Sequence, residues 1–269
     1  MTTISLDFRQ VVIFARDHPE ARWLAARLAE RGQLSMLFLE RRPFGKTMKL
    51  WWRRSRRNGI VATGSSGMAL LADRLLTRRV IEAPMTRTEV VPPTRVQAID
   101  SVNDDAVRRM VAESTSTVGL VLGTTILGAD LINSFGDIPL LNLHSGHTPR
   151  YRGTHGGAWA LLDGHPELVA STWHLIDVGI DTGRPVVHVP VTVRPTLSLM
   201  AREHRRAGVH FLDGLAQRHI AVIDIPEAAE PGRLKYPPGF GDWRRFRRIE
   251  RTLAKGNCIR DVGSSPNAT

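Results

Sequence analysis

Two short stretches carry the side chains best suited to chemistry. In residues 140–164, LLNLHSGHTPRYRGTHGGAWALLDG, Asn142 and His144 stand two apart on an apolar run that reads as a strand. Side chains at that spacing share one face. At the carboxyl end of a strand in an open α/β sheet they would reach the rim where such sheets hold ligands. The glycines that follow let backbone approach a substrate closely, and Tyr151 and Arg152 add a polar handle and a fixed cation. In residues 174–183, HLIDVGIDTG, a second strand leads into a turn through two glycines that carries Asp177 and Asp181. A loop tightened in this way can set a carboxylate against a neighbouring strand end.

A carboxamide, an imidazole and a carboxylate together suit acyl transfer between nitrogens. The attacking amine must be neutral, so a group must take its proton. The carbonyl oxygen becomes an oxyanion, so a group must donate to it, and one well-placed donor is worth roughly 2.7–4 kcal/mol. Asn142 can donate without giving up a proton. His144 beside Asp181 can carry charge or shuttle protons near neutral pH. Such a set needs no covalent intermediate and no metal.

Plainer readings stand beside this one. Asn142 alone suits a turn, and His144 alone suits a buried, hydrogen-bonded histidine. His144, His147 and His155 could instead ligate a metal with Asp181, although two of them lie on a glycine-rich loop without rigid spacing. Asp177 suits a cap on backbone N–H groups of its own loop. Arg152 suits either a structural clamp or a substrate-anion clamp.

The elements that must position these residues alternate. Val11–Ala15 and Leu34–Leu39 are apolar runs that flank a helical pattern ending at Gly32, which makes a βαβ unit and predicts a parallel sheet. Helices are expected over Met68–Arg78, after an N-cap at Asn103, over Thr154–Leu162 and over Leu197–Arg218. Strands are expected over Thr88–Val96 (interrupted by Pro92 and Pro93), Val118–Leu122, Ile138–Leu143, Val169–Ile176, Val186–Val193 and Ile220–Ile225. The expected fold is α/β, a doubly wound, mostly parallel sheet over residues 1–225. Residues 226–269 are expected to form a short basic appendage with a disordered tip. The first strand ends in Ala15-Arg16-Asp17-His18-Pro19 instead of a glycine-rich phosphate loop, which speaks against a dinucleotide site there.

The chain has 269 residues, 42% of them hydrophobic, enough for a sizeable core. Its single cysteine, Cys258, excludes an internal disulfide and a cysteine-rich zinc site. The start lacks the basic-then-apolar order of a secretory signal. The longest mostly apolar stretch, Val118–Ile132, is too short to span a bilayer. A soluble, cytoplasmic protein is expected. The net charge of +11 rests on 33 Arg against 4 Lys, an imbalance that biased base composition explains as well as a polyanionic partner does.

The sequence Asn142-Leu-His144, then Pro149-Arg-Tyr151-Arg152-Gly153, Trp159-Ala160, Gly164, His174 and Gly179-Ile-Asp181-Thr-Gly183 resembles the formyltransferases that use 10-formyltetrahydrofolate. That family includes enzymes acting on methionyl-tRNA, on glycinamide ribonucleotide and on nucleotide-linked amino sugars. The resemblance covers residues 85–225. It implies a Rossmann-like fold and a catalytic trio of Asn142, His144 and Asp181. Asn142 would bind the formyl oxygen, His144 would stabilise the tetrahedral intermediate, and Asp181 would raise the basicity of the imidazole and relay the amine's proton. It implies that Thr125, Ile126 and Leu127, together with Asp177, Gly179 and Ile180, hold the folate largely through backbone. Gly146, His147, Thr148, Tyr151 and Arg152 would face the acceptor. The loop after His144 departs from the family's Ser-Leu-Leu-Pro, reading Gly146-His147-Thr148-Pro149, and this bears on the acceptor pocket.

The implied activity is formyl transfer from 10-formyltetrahydrofolate, without a metal, to a primary amine of a small molecule such as an amino sugar on a nucleotide. The alternatives are a tRNA-formylating enzyme, a hydrolase that releases formate from the same donor, and a folate-binding scaffold without turnover. A homodimer is compatible with all of them. Two segments stay outside these readings: Trp51 and Trp52 with Arg53, Arg54, Arg56 and Arg57, and the arginine-rich stretch 243–251. Each suits an amphipathic surface helix, a nucleic-acid patch, a clamp for a phosphorylated acceptor, or a contact with an anionic membrane surface.

Overall fold

The computed structural model describes residues 2–41, 55–56, 59–78, 91–227 and 229–255. Trp51, Trp52, Arg53, Arg54 and Arg57 lie outside the described residues, as do the start of the strand expected over 88–96 and the polar tip DVGSSPNAT, residues 261–269.

The alternating runs become a central sheet of seven strands. They are β2 (Val11–Arg16), β3 (Leu34–Glu40), β4 (Val96–Ile99), β5 (Val118–Leu122), β6 (Leu140–His144), β7 (Ala170–Leu175) and β8 (Pro185–Pro190). Their spatial order is β4-β3-β2-β5-β6-β7-β8. The strands from β4 to β6 run parallel, and β7 and β8 run antiparallel to their neighbours. The fold is therefore a doubly wound, mostly parallel α/β sheet. β2, β5 and most of β6 are buried on both faces, which is why they read as unbroken apolar runs.

Helix α1 (Pro19–Glu30) covers one face together with α6 (Leu197–Ala216). Their leucines and alanines pack on Val11, Ile13, Leu120, Leu143 and Trp173. On the other face α3 (Asp105–Ala112) and α4 (Ala129–Asn133) close over Val12, Phe14, Phe38 and Val121. A third apolar cluster joins α5 (Gly156–Leu162) to α6 and to α7 (Phe240–Lys255), whose Phe246 is fully buried. Residues 229–255 thus fold back onto the sheet domain.

Several elements differ from expectation. β1 (Thr2–Asp7) was not legible: its outward Thr2, Thr3 and Ser5 break the apolar pattern. It pairs antiparallel with β9 (Ile220–Ile225) in a separate two-stranded sheet, so β9 is not an edge of the main one. Helix α2 runs Ile60–Thr77, eight residues earlier than the apolar pattern begins, because Gly64 and Gly67 are tolerated inside it. Around Pro92 and Pro93 the chain makes a 3-10 turn, and β4 starts only at Val96, since proline cannot donate to a ladder. The N-cap of α3 is Asp104. Asn103 instead bonds the loop after β5, donating to the Ile126 carbonyl at 2.9 Å and accepting from Gly128 N–H at 2.6 Å.

Asp73 ties three helices together. Its buried carboxylate, on α2, accepts from Leu197 N–H at 2.7 Å, Ser198 N–H at 2.8 Å, Ser198 Oγ at 2.7 Å and Trp243 Nε1 at 3.2 Å. A negative charge at the start of α6 also complements the helix dipole. Asp73→Ala strands these donors, and we expect it to lower unfolding stability by about 3 kcal/mol. Urea unfolding monitored by far-UV circular dichroism checks this; a loss near zero would show that the bonds are replaced by water.

Candidate functional site

β6 projects Asn142 and His144 to one face, and β7 sets His174 directly opposite Asn142 on the neighbouring strand. The loop between β7 and β8 then arcs back over this face and brings in Asp181. Its carboxylate lies 3.3 Å from His144 Nδ1, 3.6 Å from His174 Nε2 and 3.5 Å from Asn142 Nδ2. Gly153 N–H donates to it at 2.9 Å. The three side chains expected to act together therefore converge, and Asp181 is turned inward with 14% of its side chain exposed.

The loop is forced into this path. Asp181 has φ 51°, a left-handed conformation that aspartate tolerates better than most residues. Gly183 packs so closely on the Leu175 carbonyl that a side chain there would collide with it. Asp177 caps the turn by accepting from Gly179 N–H at 3.0 Å and Thr182 Oγ1 at 2.7 Å. Its carboxylate therefore serves its own loop. Arg152 donates to the Ile180 carbonyl at 2.7 Å and to the Gly232 carbonyl at 3.2 Å, clamping the loop to the C-terminal segment.

Hydrogen-bond logic fixes the protons. His144 Nε2 lies 2.8 Å from the Tyr151 carbonyl, which only accepts, so Nε2 carries a hydrogen. Nδ1 then points a lone pair at Asp181 until it gains a proton, when the contact becomes a charge-assisted bond. Burial pushes the His144 imidazole below its ordinary pKa, and the Asp181 charge opposes that push. For Asp181, burial alone would raise the carboxyl; the nearby imidazoles of His144 and His174 and the Gly153 N–H outweigh it and hold it at about 2. The pair is an ionised acid facing a base that accepts one proton.

His174 received no role from the sequence beyond its place in the resemblance. Its Nδ1 donates to the Leu175 carbonyl at 2.8 Å, so its Nε2 accepts from Asn142 Nδ2 at 3.0 Å. That bond orients the carboxamide, with Nδ2 toward the site. The signal available was the cross-strand register, which a strand over 169–176 and the Asn142 strand imply together.

The residues expected to face an acceptor are held tightly. Thr172 Oγ1 donates to the Gly146 carbonyl at 2.7 Å and accepts from Thr148 N–H at 3.1 Å. His147 stacks on His188 with ring centroids 3.7 Å apart. Burial and the neighbouring His147 charge lower His188 to about 4, so the two rings do not both carry charge near neutral pH. The Tyr151 ring is buried in the third cluster, and the bond that Tyr151 gives the site is through its carbonyl. His147 and His155 do not join His144: His155 sits in a left-handed conformation at the start of α5. Among the described residues no group of three or more His, Cys, Asp or Glu is placed to hold a metal.

The other expected binding loop follows β5. Glu40, buried at the end of β3, accepts from Thr125 N–H at 2.8 Å and Thr125 Oγ1 at 2.6 Å. Leu127 packs into the second cluster, while Ile126 is exposed. Val178 and Ile180, on the Asp181 loop, are also exposed. Glu40 was not singled out from the sequence, because an acid closing an apolar strand reads as a strand end.

A family model described as Formyl transferase matches residues 72–210, just over half of the chain, which includes Asn142, His144, His174 and Asp181. The chain belongs to the formyl transferase family. Among its curated relatives, the methionyl-tRNA formyltransferase of Geobacter sulfurreducens is 27% identical over 167 residues, 58% of this chain and 50% of that protein. That of Pelobacter propionicus is 27% identical over 195 residues, 66% of this chain and 55% of that protein. The chain spans about half the length of the curated relatives it matches. Among solved structures, a sugar N-formyltransferase from Shewanella sp FDAARGOS_354 shares the fold with a TM-score of 0.52 at 13% identity, covering 90% of this chain and 86% of that one. No described helix of this family member is long and apolar enough to cross a membrane.

Proposed function

We propose that this formyl transferase family member moves a formyl group from 10-formyltetrahydrofolate to a primary amine of a small-molecule acceptor, with Asn142, His144 and Asp181 as its catalytic residues. One observation carries the reading: an inward, ionised Asp181 within reach of His144, His174 and Asn142. The hydrogen of Asn142 Nδ2 that His174 does not take, held only loosely by Asp181 at 3.5 Å, turns to the formyl oxygen as the amine nitrogen attacks the formyl carbon. The amine proton passes to the His144–Asp181 pair, and the resulting imidazolium lies beside the developing oxyanion. Collapse restores the carbonyl, breaks the bond to the donor nitrogen and returns a proton to that nitrogen. The exposed Ile126, Val178 and Ile180, with the backbone of the loops at 123–128 and 177–181, suit a flat donor ring held by apolar contact and backbone bonds.

The acceptor class favoured is an amino sugar on a nucleotide, or a comparable metabolite. The test incubates the purified chain with 10-formyltetrahydrofolate and a panel of amino-sugar nucleotides, following tetrahydrofolate release and the product mass. An acceptor-dependent formyl adduct is expected. Formate release that is unchanged by any amine would instead identify a hydrolase.

The names of the curated relatives favour a second reading, aminoacyl-tRNA as acceptor. It requires formylation of charged initiator tRNA, with an affinity that falls steeply with salt.

A further inference from the structure

Away from the site, helix α2 presents an unusual outer face. Ile60, Val61, Met68, Leu71 and Leu75 are 73%, 86%, 56%, 60% and 55% exposed. Val61, Gly64, Met68, Leu71 and Leu75 follow one another at steps of three, four, three and four, so they form a single apolar stripe. Single exposed aliphatics need no explanation, but a contiguous row on one helix marks a contact surface.

Beside this stripe runs a basic one. A groove of about 490 Å³ lies between Leu76 of α2 and the arginines of α7. On α7, Arg245 and Arg247 are engaged with the Leu162 and Pro195 carbonyls, and Arg247 also with Glu250. Arg244, Arg248 and Arg251 are exposed, stand at i, i+4 and i+7 on one helix face, and their guanidinium groups have no hydrogen-bond or ion-pair partner among the described residues. Arg74 and Arg78 extend the charge along α2. The acids of these two helices are already used: Asp73 caps α6, Asp242 accepts from Gly239 N–H, and Glu250 pairs with Arg247.

We propose that α2 and α7 together form a docking surface for an anionic lipid bilayer, with the aliphatic stripe entering the headgroup boundary and the arginines meeting lipid phosphates. A second copy of the chain fits less well, because it would set unpaired arginines against arginines. A nucleic acid would use the arginines but has no partner for a row of aliphatic side chains, and Trp243, the aromatic that lines the groove, is packed on the third cluster and bonded to Asp73 instead of being presented for stacking.

Flotation of the full chain with vesicles tests this. The chain should rise with phosphatidylcholine vesicles containing phosphatidylglycerol and stay down with phosphatidylcholine alone. At an ionic strength of about 1 M, where screening shortens to about 3 Å, binding should largely vanish. The triple variant Arg244→Gln, Arg248→Gln, Arg251→Gln should bind about a hundredfold more weakly. Leu71→Ser with Leu75→Ser should weaken binding by about tenfold or more while leaving the melting curve in place, since both residues are exposed. Failure of the unmodified chain to float with anionic vesicles overturns the proposal without any variant. So does binding that ignores the two leucines, tighter binding to single-stranded RNA than to vesicles, or a solution dimer that Leu71→Asp dissociates.

Discussion

Asn142→Ala should lower turnover by about a hundredfold or more, with donor binding nearly unchanged. The expectation follows from where the two hydrogens of its carboxamide go. One is spent on His174 Nε2 at 3.0 Å, and this bond survives only while Nδ2 faces inward. The other points at Asp181 Oδ1 from 3.5 Å, the outer limit of a hydrogen bond, so it is free to be drawn to an oxygen that gains charge. That donor matters little to a neutral formyl group and much to an oxyanion, which is the condition for a loss in kcat instead of KM. Alanine also leaves His174 Nε2 without its partner, at a stability cost of about 1 kcal/mol. Steady-state kinetics with the formyl donor and the best acceptor, together with a thermal melt, separate the two effects. Turnover within a few-fold of the unmodified chain would remove Asn142 from the chemistry.

How far such a site can be read from sequence depends on which forces set it. Strands β2, β5 and β6 were legible because burial on both faces leaves continuous apolar runs. The shared face of Asn142 and His144 follows from the strand repeat alone. β1 was not legible because it pairs with β9 at the rim and alternates toward solvent. Glu40 and Asn103 were missed as anchors of the loop at 123–128 because their partners lie 85 and 25 residues away in the chain. The Asp177 cap was legible as local chemistry, whereas the burial of the Tyr151 ring was not. That ring is covered by α5, α6 and α7, and α7 could be read only as a basic stretch. Local periodicity thus gives the scaffold and the shared faces; contacts between distant segments decide which polar groups point into the site.

Asp181→Asn should cost about a thousandfold in turnover and keep the fold. Asparagine has the same shape, tolerates the left-handed φ of 51°, and still accepts from Gly153 N–H, so the loop has no reason to move. What changes is the partner of His144. Its Nε2 hydrogen is fixed on the Tyr151 carbonyl, so any proton it takes must sit on Nδ1, facing residue 181. A carboxylate there welcomes the proton; an amide group does not, and burial then opposes imidazolium without compensation. The pH dependence carries the sign. Asp181 is held at about 2, below its ordinary value, so its ionised form stabilises the fold above about pH 4, and that contribution is lost as the pH falls toward 2. The stability difference between the unmodified chain and Asp181→Asn should therefore be about 2 kcal/mol at neutral pH, and the part the carboxylate contributes should disappear as the pH falls from 4 toward 2. Urea unfolding across that range, alongside kcat against pH, checks both halves. A variant that turns over within tenfold of the unmodified chain at every pH would show that the proton leaves by another route.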